Sequence, residues 1–514
     1  MFQVFLSTAR LLNREDIQHP DFETVLRAQL GGPDHRLAEL NGELARIGTD
    51  DPSALPLLLE AGRCYLDKHD YVTQKRYAVQ AYECAAAWGD PIGTAAAGMA
   101  LGVACCWTGD LRLARIHADR VAAYLDGLDA ADLGPLLPVL VDLSWVETQL
   151  QRLPEAEAHQ RRGLRVAEAL GSEEHWVLLQ VLLGATLREL GRLADAERHT
   201  ERAREIAELR DNGIQRELAL IALGEIALEA GDTRRTHEMA VRARAAAGSL
   251  TRFARAALML IGLTMIRTGE PQDGRDLVLE AAGGKLLPLV PVGARTRVYA
   301  GLASADAALG HHAEAVRWSE LAMRTTWACD LDRAMGYAQL AHAEALLKPD
   351  PGGAQRAADL ARTAFERVDA HLGLAAAYRM VGMAQGRLNR LAESTAALAR
   401  SEELYRGCAA TIAADEIRLL RMTTRSAADR ATEHDQAAIE CLSPREMQVA
   451  RLIAQGSSNQ QIAGALNIKT NTVQVHVGQI LRKLRVPSRA AVARLVTLAE
   501  ATELVSGQVR RGNN

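Results

Sequence analysis

The sequence predicts an all-α protein in two parts, a long helical repeat followed by a small basic helical domain. Three observations point there. The composition is one of helix formers, a register of small residues returns about every 40 positions, and the charge balance changes sign near residue 440. Ala, Leu, Arg and Glu dominate the 514 residues, whereas the aromatic side chains that strands favour make up 4%. Apolar residues at 48% and charged residues at 24% are those of an ordinary globular chain and exclude disorder or collagen-like structure. The 54 arginines against six lysines suggest a GC-rich bacterial source.

The net charge of −4 conceals an asymmetry. From Glu440 onward ten basic residues face four acidic ones, a balance of +6 that leaves −10 on the rest. A basic end on an acidic body suggests that the end meets a polyanion. Seven cysteines, at 64, 84, 105, 106, 329, 408 and 441, form no Cys-x-x-Cys pair. Reduced, buried thiols are therefore expected rather than a disulfide framework or a zinc ribbon. Met1–Leu12 lacks the basic-then-apolar order of a signal peptide. The apolar run Ala256–Ile266 has 11 residues, against the roughly 20 of a membrane span. A cytoplasmic protein without membrane contact is expected.

The register of the body is clearest from Gly184, which Leu187, Gly191, Ala196 and Ala203 follow at +3, +7, +12 and +19. The first two positions share one face of a first helix. Glycine at +7 ends that helix, because it accepts a left-handed C-cap, and the small residues beyond it let a second helix pack close. The pattern returns from Gly102, Gly224, Gly262, Ala303 and Ala345, with Gly352 at +7 in the last of these. Weaker copies start at Ser144 and Gly382, where Gln151 and Asn389 take the +7 place. Consecutive anchors lie 37 to 42 residues apart. These offsets resemble the tetratricopeptide repeat, stretched from its usual period of about 34. The resemblance implies stacked helix pairs that coil into a superhelix with a concave groove suited to a peptide, a partner protein or a small effector. The body is expected over residues 1–422, with Asp70–Gly89 as the second helix of an early pair. Trp145, Trp176, Tyr299, Tyr337 and Tyr378, on first helices, are expected to pack between repeats, with lining of the groove as the alternative.

The repeats show no catalytic constellation. Gly283-Gly284-Lys285-Leu286 lacks the earlier glycine and the following Ser/Thr of a phosphate loop, so a turn is expected there. His311-His312 has no carboxylate–histidine spacing that would support a metal. No enzyme activity, cofactor or metal is expected. Nor is there an alternating strand–helix receiver pattern, so switching by ATP or by aspartyl phosphorylation is not expected.

After a polar stretch at 423–440, read as a short linker that is either irregular or partly helical, three helix signals follow. Ser443 with Glu446 makes a capping box, and Pro444 occupies the first helical position. That helix should run to about Gln455 and stop at Gly456. Ser458 with Gln461 makes a second capping box, opening a short helix to about Asn467. A third helix, about Thr470–Arg485, buries Val473, Val477, Ile480, Leu481 and Leu484 at helical spacing. Its opposite face carries Asn471, Gln474, Val475, Gly478, Gln479 and Arg482. Amides and guanidinium groups read base edges, and an exposed valine can touch a thymine methyl. Two short helices, a tight turn and a longer reading helix form a helix-turn-helix.

The segment 442–495 is similar to the LuxR/GerE-type DNA-binding domain. The likeness rests on Leu442-Ser443-x-Arg445-Glu446, Ala454-x-Gly456, Asn459-x-x-Ile462-Ala463 and Leu466-x-Ile468. It continues through Thr472-Val473-x-x-His476-Val477, Ile480-Leu481-x-Lys483-Leu484 and Ser488-Arg489. The resemblance implies four helices over 441–505, a free tail at 506–514, DNA contact through the third helix and dimerisation through the fourth, about Ser488–Glu500. The expected DNA contacts are Ser458, Asn459, Gln460, Lys469, Thr470, Asn471, Thr472, Gln474, Val475, His476, Gly478, Gln479, Arg482, Lys483 and Arg489. Three positions depart from the family pattern: Lys469 replaces a capping serine, Gln474 a basic residue and Arg485 a helix-ending glycine. Body and domain together resemble the C-terminal part of MalT-like and large actinomycete LuxR-type regulators. The resemblance implies a transcription regulator, an activator, acting on double-stranded DNA as a homodimer, with an effector or protein in the groove and RNA polymerase as a further partner. The alternative is an interaction scaffold whose terminal domain does not bind DNA.

Overall fold

The computed structural model describes residues 22–246, 252–327, 331–493 and 495–497. Those residues form helices and turns without a strand. They divide at Leu419/Leu420 into two compact units, described separately below.

Among the described residues the larger unit runs from the helix Phe22–Ile47 through nine helix pairs, from Ala54–Asp67 with Tyr71–Ala87 to His371–Arg387 with Leu391–Gly407. The joints follow the predicted register. Gly109, Gly191, Gly231, Gly269 and Gly310 all adopt positive φ, as do Gln151 and Asn389 in the weaker copies. Asp70, Asp90 and Asp110 then accept a backbone N–H from the first turn of the next helix. The anchor glycines are small because the paired helices nearly touch. A Cβ on Gly262 would lie 2.7 Å from the Gly274 carbonyl oxygen, and one on Gly184 would overlap the Thr200 hydroxyl. Ala196 and Ala203 are fully buried.

One copy departs from the register. Gly352 does not end a helix; it lies in the first turn of Pro351–Glu366, which Asp350 caps. Pro349 and Pro351 bring the preceding helix to a close at Leu346, because the residue before a proline is pushed out of the helical region. The segment Gly283–Leu287 is a turn, with Gly283, Gly284 and Leu287 at positive φ. The one helix among the described residues long and apolar enough to cross a membrane, Pro91–Thr108, is mostly buried in the core of this unit.

Within this unit the superhelix closes on itself. Arg295 donates to the Trp107 carbonyl at 3.0 Å, and Gly293 lies against the Gln149 carbonyl, where a Cβ would come within 2.8 Å. Gly231 similarly faces the Ala413 backbone nitrogen at 2.9 Å from its would-be Cβ. The charged centre of the seam is Glu189, which accepts both terminal nitrogens of Arg297 at 2.7 and 2.8 Å. Arg333 donates to the Glu189 carbonyl, and Arg188 adds ion pairs to Glu189 and Glu225. Burial alone would raise the Glu189 carboxyl, but Arg297, Arg188 and Arg333 hold it down at about 2. The closed turn encloses a cavity of about 1180 Å³, lined by first helices from Ala54–Asp67 onward. Trp145 and Tyr337 line it, whereas Tyr299 stacks on Trp318 away from solvent and Trp176 lies under Arg202. The first-helix aromatics thus divide between packing and lining.

The segment 423–440, expected as a linker, is helical: it is the second half of Thr411–Glu440. No Gly or Pro interrupts that stretch, and Ala, Arg and Glu are strong helix formers. The partly helical alternative is the one that the conformation follows. The tail at 506–514, Met1–Leu12 and Cys329 lie outside the described residues. Of the other cysteines, Cys64, Cys84, Cys105, Cys106 and Cys408 are buried and Cys441 is exposed.

Candidate nucleic-acid interface

Three helices, Pro444–Ala454, Asn459–Leu466 and Thr470–Lys483, surround a small core of Val449, Ile453, Ile462, Val473 and Ile480. Both predicted capping boxes form. Glu446 N–H donates to Ser443 Oγ while Glu446 Oε2 accepts from Ser443 N–H, and Ser458 and Gln461 repeat the arrangement. Gly456 and Asn467 end the first two helices at positive φ. These ends set the turn that delivers the third helix across the second. Residues 489–493 and 495–497 are helical, and Val492 and Val496 close the core from that side. The remainder of the expected fourth helix lies outside the described residues.

The outward side of Thr470–Lys483 matches the sequence reading. Thr470, Asn471, Thr472, Gln474 and Arg482 are exposed, Gly478 and Gln479 are half-buried, and Val475 is 57% exposed. No acidic residue lies on this helix. Ser458, Gln460 and Lys469 are also exposed, at the start of the second helix and before the third. Lys469 is the N-cap of the third helix and makes no side-chain capping bond, so the lost serine is not replaced by Thr470. Arg485 takes the left-handed conformation that glycine usually supplies, with φ of 52°. Val486 N–H bonds back to the Leu481 carbonyl at 3.1 Å, completing the C-terminal closure. His476 is half-buried and its Nδ1 lies buried without a hydrogen-bond partner, so it packs against the core.

Three expected contact residues are engaged within the domain. Lys483 donates to the buried Glu446 carboxylate at 2.6 Å. That ammonium, with the Ser443 hydrogen bonds, holds the Glu446 carboxyl down at about 2. Arg489 donates to Asn459 Oδ1 at 2.7 Å and to the Ser457 carbonyl. Asn459, Lys483 and Arg489 therefore brace the helix-turn-helix. The sequence reading also missed Arg445, which donates to the Leu466 carbonyl at 2.8 Å and ties the first helix to the end of the second. The 21-residue separation of that pair leaves no local spacing from which to read it.

Residues 440–496 match the model of bacterial regulatory proteins of the luxR family, named GerE. The C-terminal unit holds a LuxR-type helix-turn-helix domain. Over 58 residues this domain is 50% identical to a nitrate/nitrite response regulator homologue of Haemophilus influenzae, covering 11% of this chain and 28% of that one. Over 50 residues it is 54% identical to the nitrate/nitrite response regulator protein NarP of Escherichia coli, covering 10% and 23%. The chain thus spans less than a third of the length of these relatives. The repeat body is similar in fold to a Rap protein solved in complex with competence and sporulation factor. The TM-score is 0.52 at 10% identity, over 70% of this chain and 100% of that one. A tetratricopeptide-like helical body and a LuxR-type helix-turn-helix domain are therefore joined in one chain.

Proposed function

We propose that the protein is a sequence-specific transcription activator whose repeat body binds an effector or protein partner and thereby controls the LuxR-type domain. In this reading Asn471, Gln474, Val475, Gly478, Gln479 and Arg482 face the bases, and Ser458, Gln460, Lys469, Thr470 and Thr472 meet the phosphates. Asn459, His476, Lys483 and Arg489 hold the reading helix in place. The observation that carries the proposal is the exposed, acid-free amide face of Thr470–Lys483. A helix of that width fits the major groove, where amides and guanidinium groups distinguish base pairs. The uncapped first turn at Lys469 adds backbone N–H groups favourable to a phosphate. The protein acts in the cytoplasm as a homodimer in contact with RNA polymerase.

A gel-shift series with the full chain and fragments of its own genome, across increasing salt, tests this. A specific shift that weakens steeply with salt is expected, because each neutralised phosphate releases counterions. A chain that shifts no fragment at low salt is an interaction scaffold instead.

A further inference from the structure

The cavity inside the repeat body is built with open polar positions. Glu217, on the helix Gly213–Ala230, lines it and is only 3% exposed, and its Oε1 has no hydrogen-bond partner. Ile214, Leu218, Ile221 and Phe253 line the same wall, so the carboxyl stands on an apolar surface. Burial pushes it up to about 7, against the opposing field of Arg244 on the neighbouring helix Thr233–Ala246. Other groups in the lining are also incompletely satisfied: the Gln74 amide oxygen accepts nothing, and the Nε atoms of Arg188 and Arg379 donate to nothing. Buried polar groups are almost always paired in native proteins, and leaving one unpaired costs about 1–3 kcal/mol. Open acceptors and open donors in one cavity, whose apolar walls also carry the paired charges Glu189 and Arg297, match a ligand with both kinds of group along its length.

We infer that the cavity takes a short apolar peptide carrying one basic side chain, whose cation is received by Glu217. The cavity of about 1180 Å³ exceeds the roughly 300–1,000 Å³ that holds a drug-sized molecule, as an extended ligand requires. Backbone carbonyls of the peptide accept from Arg188 Nε and Arg379 Nε, and a backbone N–H donates to Gln74 Oε1. The chemistry of the cation is shared by arginine, lysine and free alkylamines; the size and the spread of polar partners favour the peptide. This inference rests on the reading that the repeat body binds an effector, and not on DNA recognition.

The test uses two fluorescent mixtures of blocked pentapeptides with apolar residues at four positions. The central residue is arginine in one and citrulline, its neutral isostere, in the other. Binding to the full chain is followed by anisotropy at pH 8. The arginine mixture is expected to bind at least about tenfold more tightly, the size of one charge-assisted hydrogen bond. Glu217→Gln is expected to erase that preference without lowering the melting temperature, because it removes an unpaired buried carboxylate. Lowering the pH to 6 is expected to shrink the wild-type preference as the carboxyl gains its proton. Equal binding of the two mixtures to the wild type, or a preference that survives in Glu217→Gln, overturns the assignment to Glu217. A simple alkylguanidine that binds as tightly as the peptides overturns the peptide. Binding of neither mixture overturns this inference and leaves the body a protein partner or a non-peptide effector, while the gel shift decides DNA recognition separately.

Discussion

The helices Leu193–Leu209 and Thr470–Lys483 are both amphipathic, yet their outer faces are unlike. On the first, most of the charges have an opposite neighbour. Asp195 meets Arg192 and Arg198, and Arg204 lies between Glu201 and Glu208. Ion pairs also run between successive repeats, from Arg192 to Glu157 and from Arg242 to Glu208. The second has no acid, and its amides face outward without side-chain partners on the helix. A solvated face satisfies itself, whereas a recognition face leaves its hydrogen-bonding capacity to another molecule. The same contrast recurs inside the body, where both Glu189 carboxylate oxygens accept from Arg297 and Glu217 Oε1 accepts nothing.

That contrast can be broken first at the seam. Arg297→Ala leaves Glu189 without its bidentate partner, and a loss of roughly 2–4 kcal/mol is expected, below the full cost of breaking a buried pair because Arg297 is a quarter exposed. A lowered calorimetric melting temperature measures it, and an unchanged melt would mean that the seam does not hold the superhelix closed. The next effect is smaller. Glu446 has a depressed carboxyl, so its contribution to stability is present above its ordinary value near 4.5 and disappears as the pH falls toward about 2. Lys483→Met should remove about 1 kcal/mol at pH 7 and flatten that acid limb, the figure being small because the lysine is 44% exposed. Denaturant titration at pH 7 and pH 3 reports both. If Lys483 acted on DNA alone, stability would not change. The smallest effect belongs to the self-paired surface: Glu201→Gln should shift stability by less than about 0.5 kcal/mol and leave DNA binding untouched.

The parts of the molecule that local spacing controls were legible in the sequence. Gly191 and its equivalents mark helix ends because a left-handed residue is needed there. Ser443–Glu446 and Ser458–Gln461 mark helix starts because their bonds span three residues. The exposed face around Gln474 followed from helical period alone. What stayed hidden depends on distant pairing. Lys483 is turned to Glu446, 37 residues away, a partner that no local spacing shows. Arg489 was likewise turned inward by Asn459. The seam pairs Glu189 with Arg297 across 108 residues, which no repeat pattern encodes. The helix at 423–440 was obscured for the opposite reason, since its polar composition hides a run of strong helix formers that no Gly or Pro breaks.

The most direct test of the account is operator discrimination by the double variant Gln474→Ala with Gln479→Ala, measured as the affinity ratio between a footprinted site and a scrambled one at fixed salt. The account predicts that the ratio falls by tenfold or more, since each well-made base contact is worth about 1–3 kcal/mol, while the non-specific affinity and the melting temperature stay put. An unchanged ratio would contradict it, because the amide face of Thr470–Lys483 would then not be what reads the DNA.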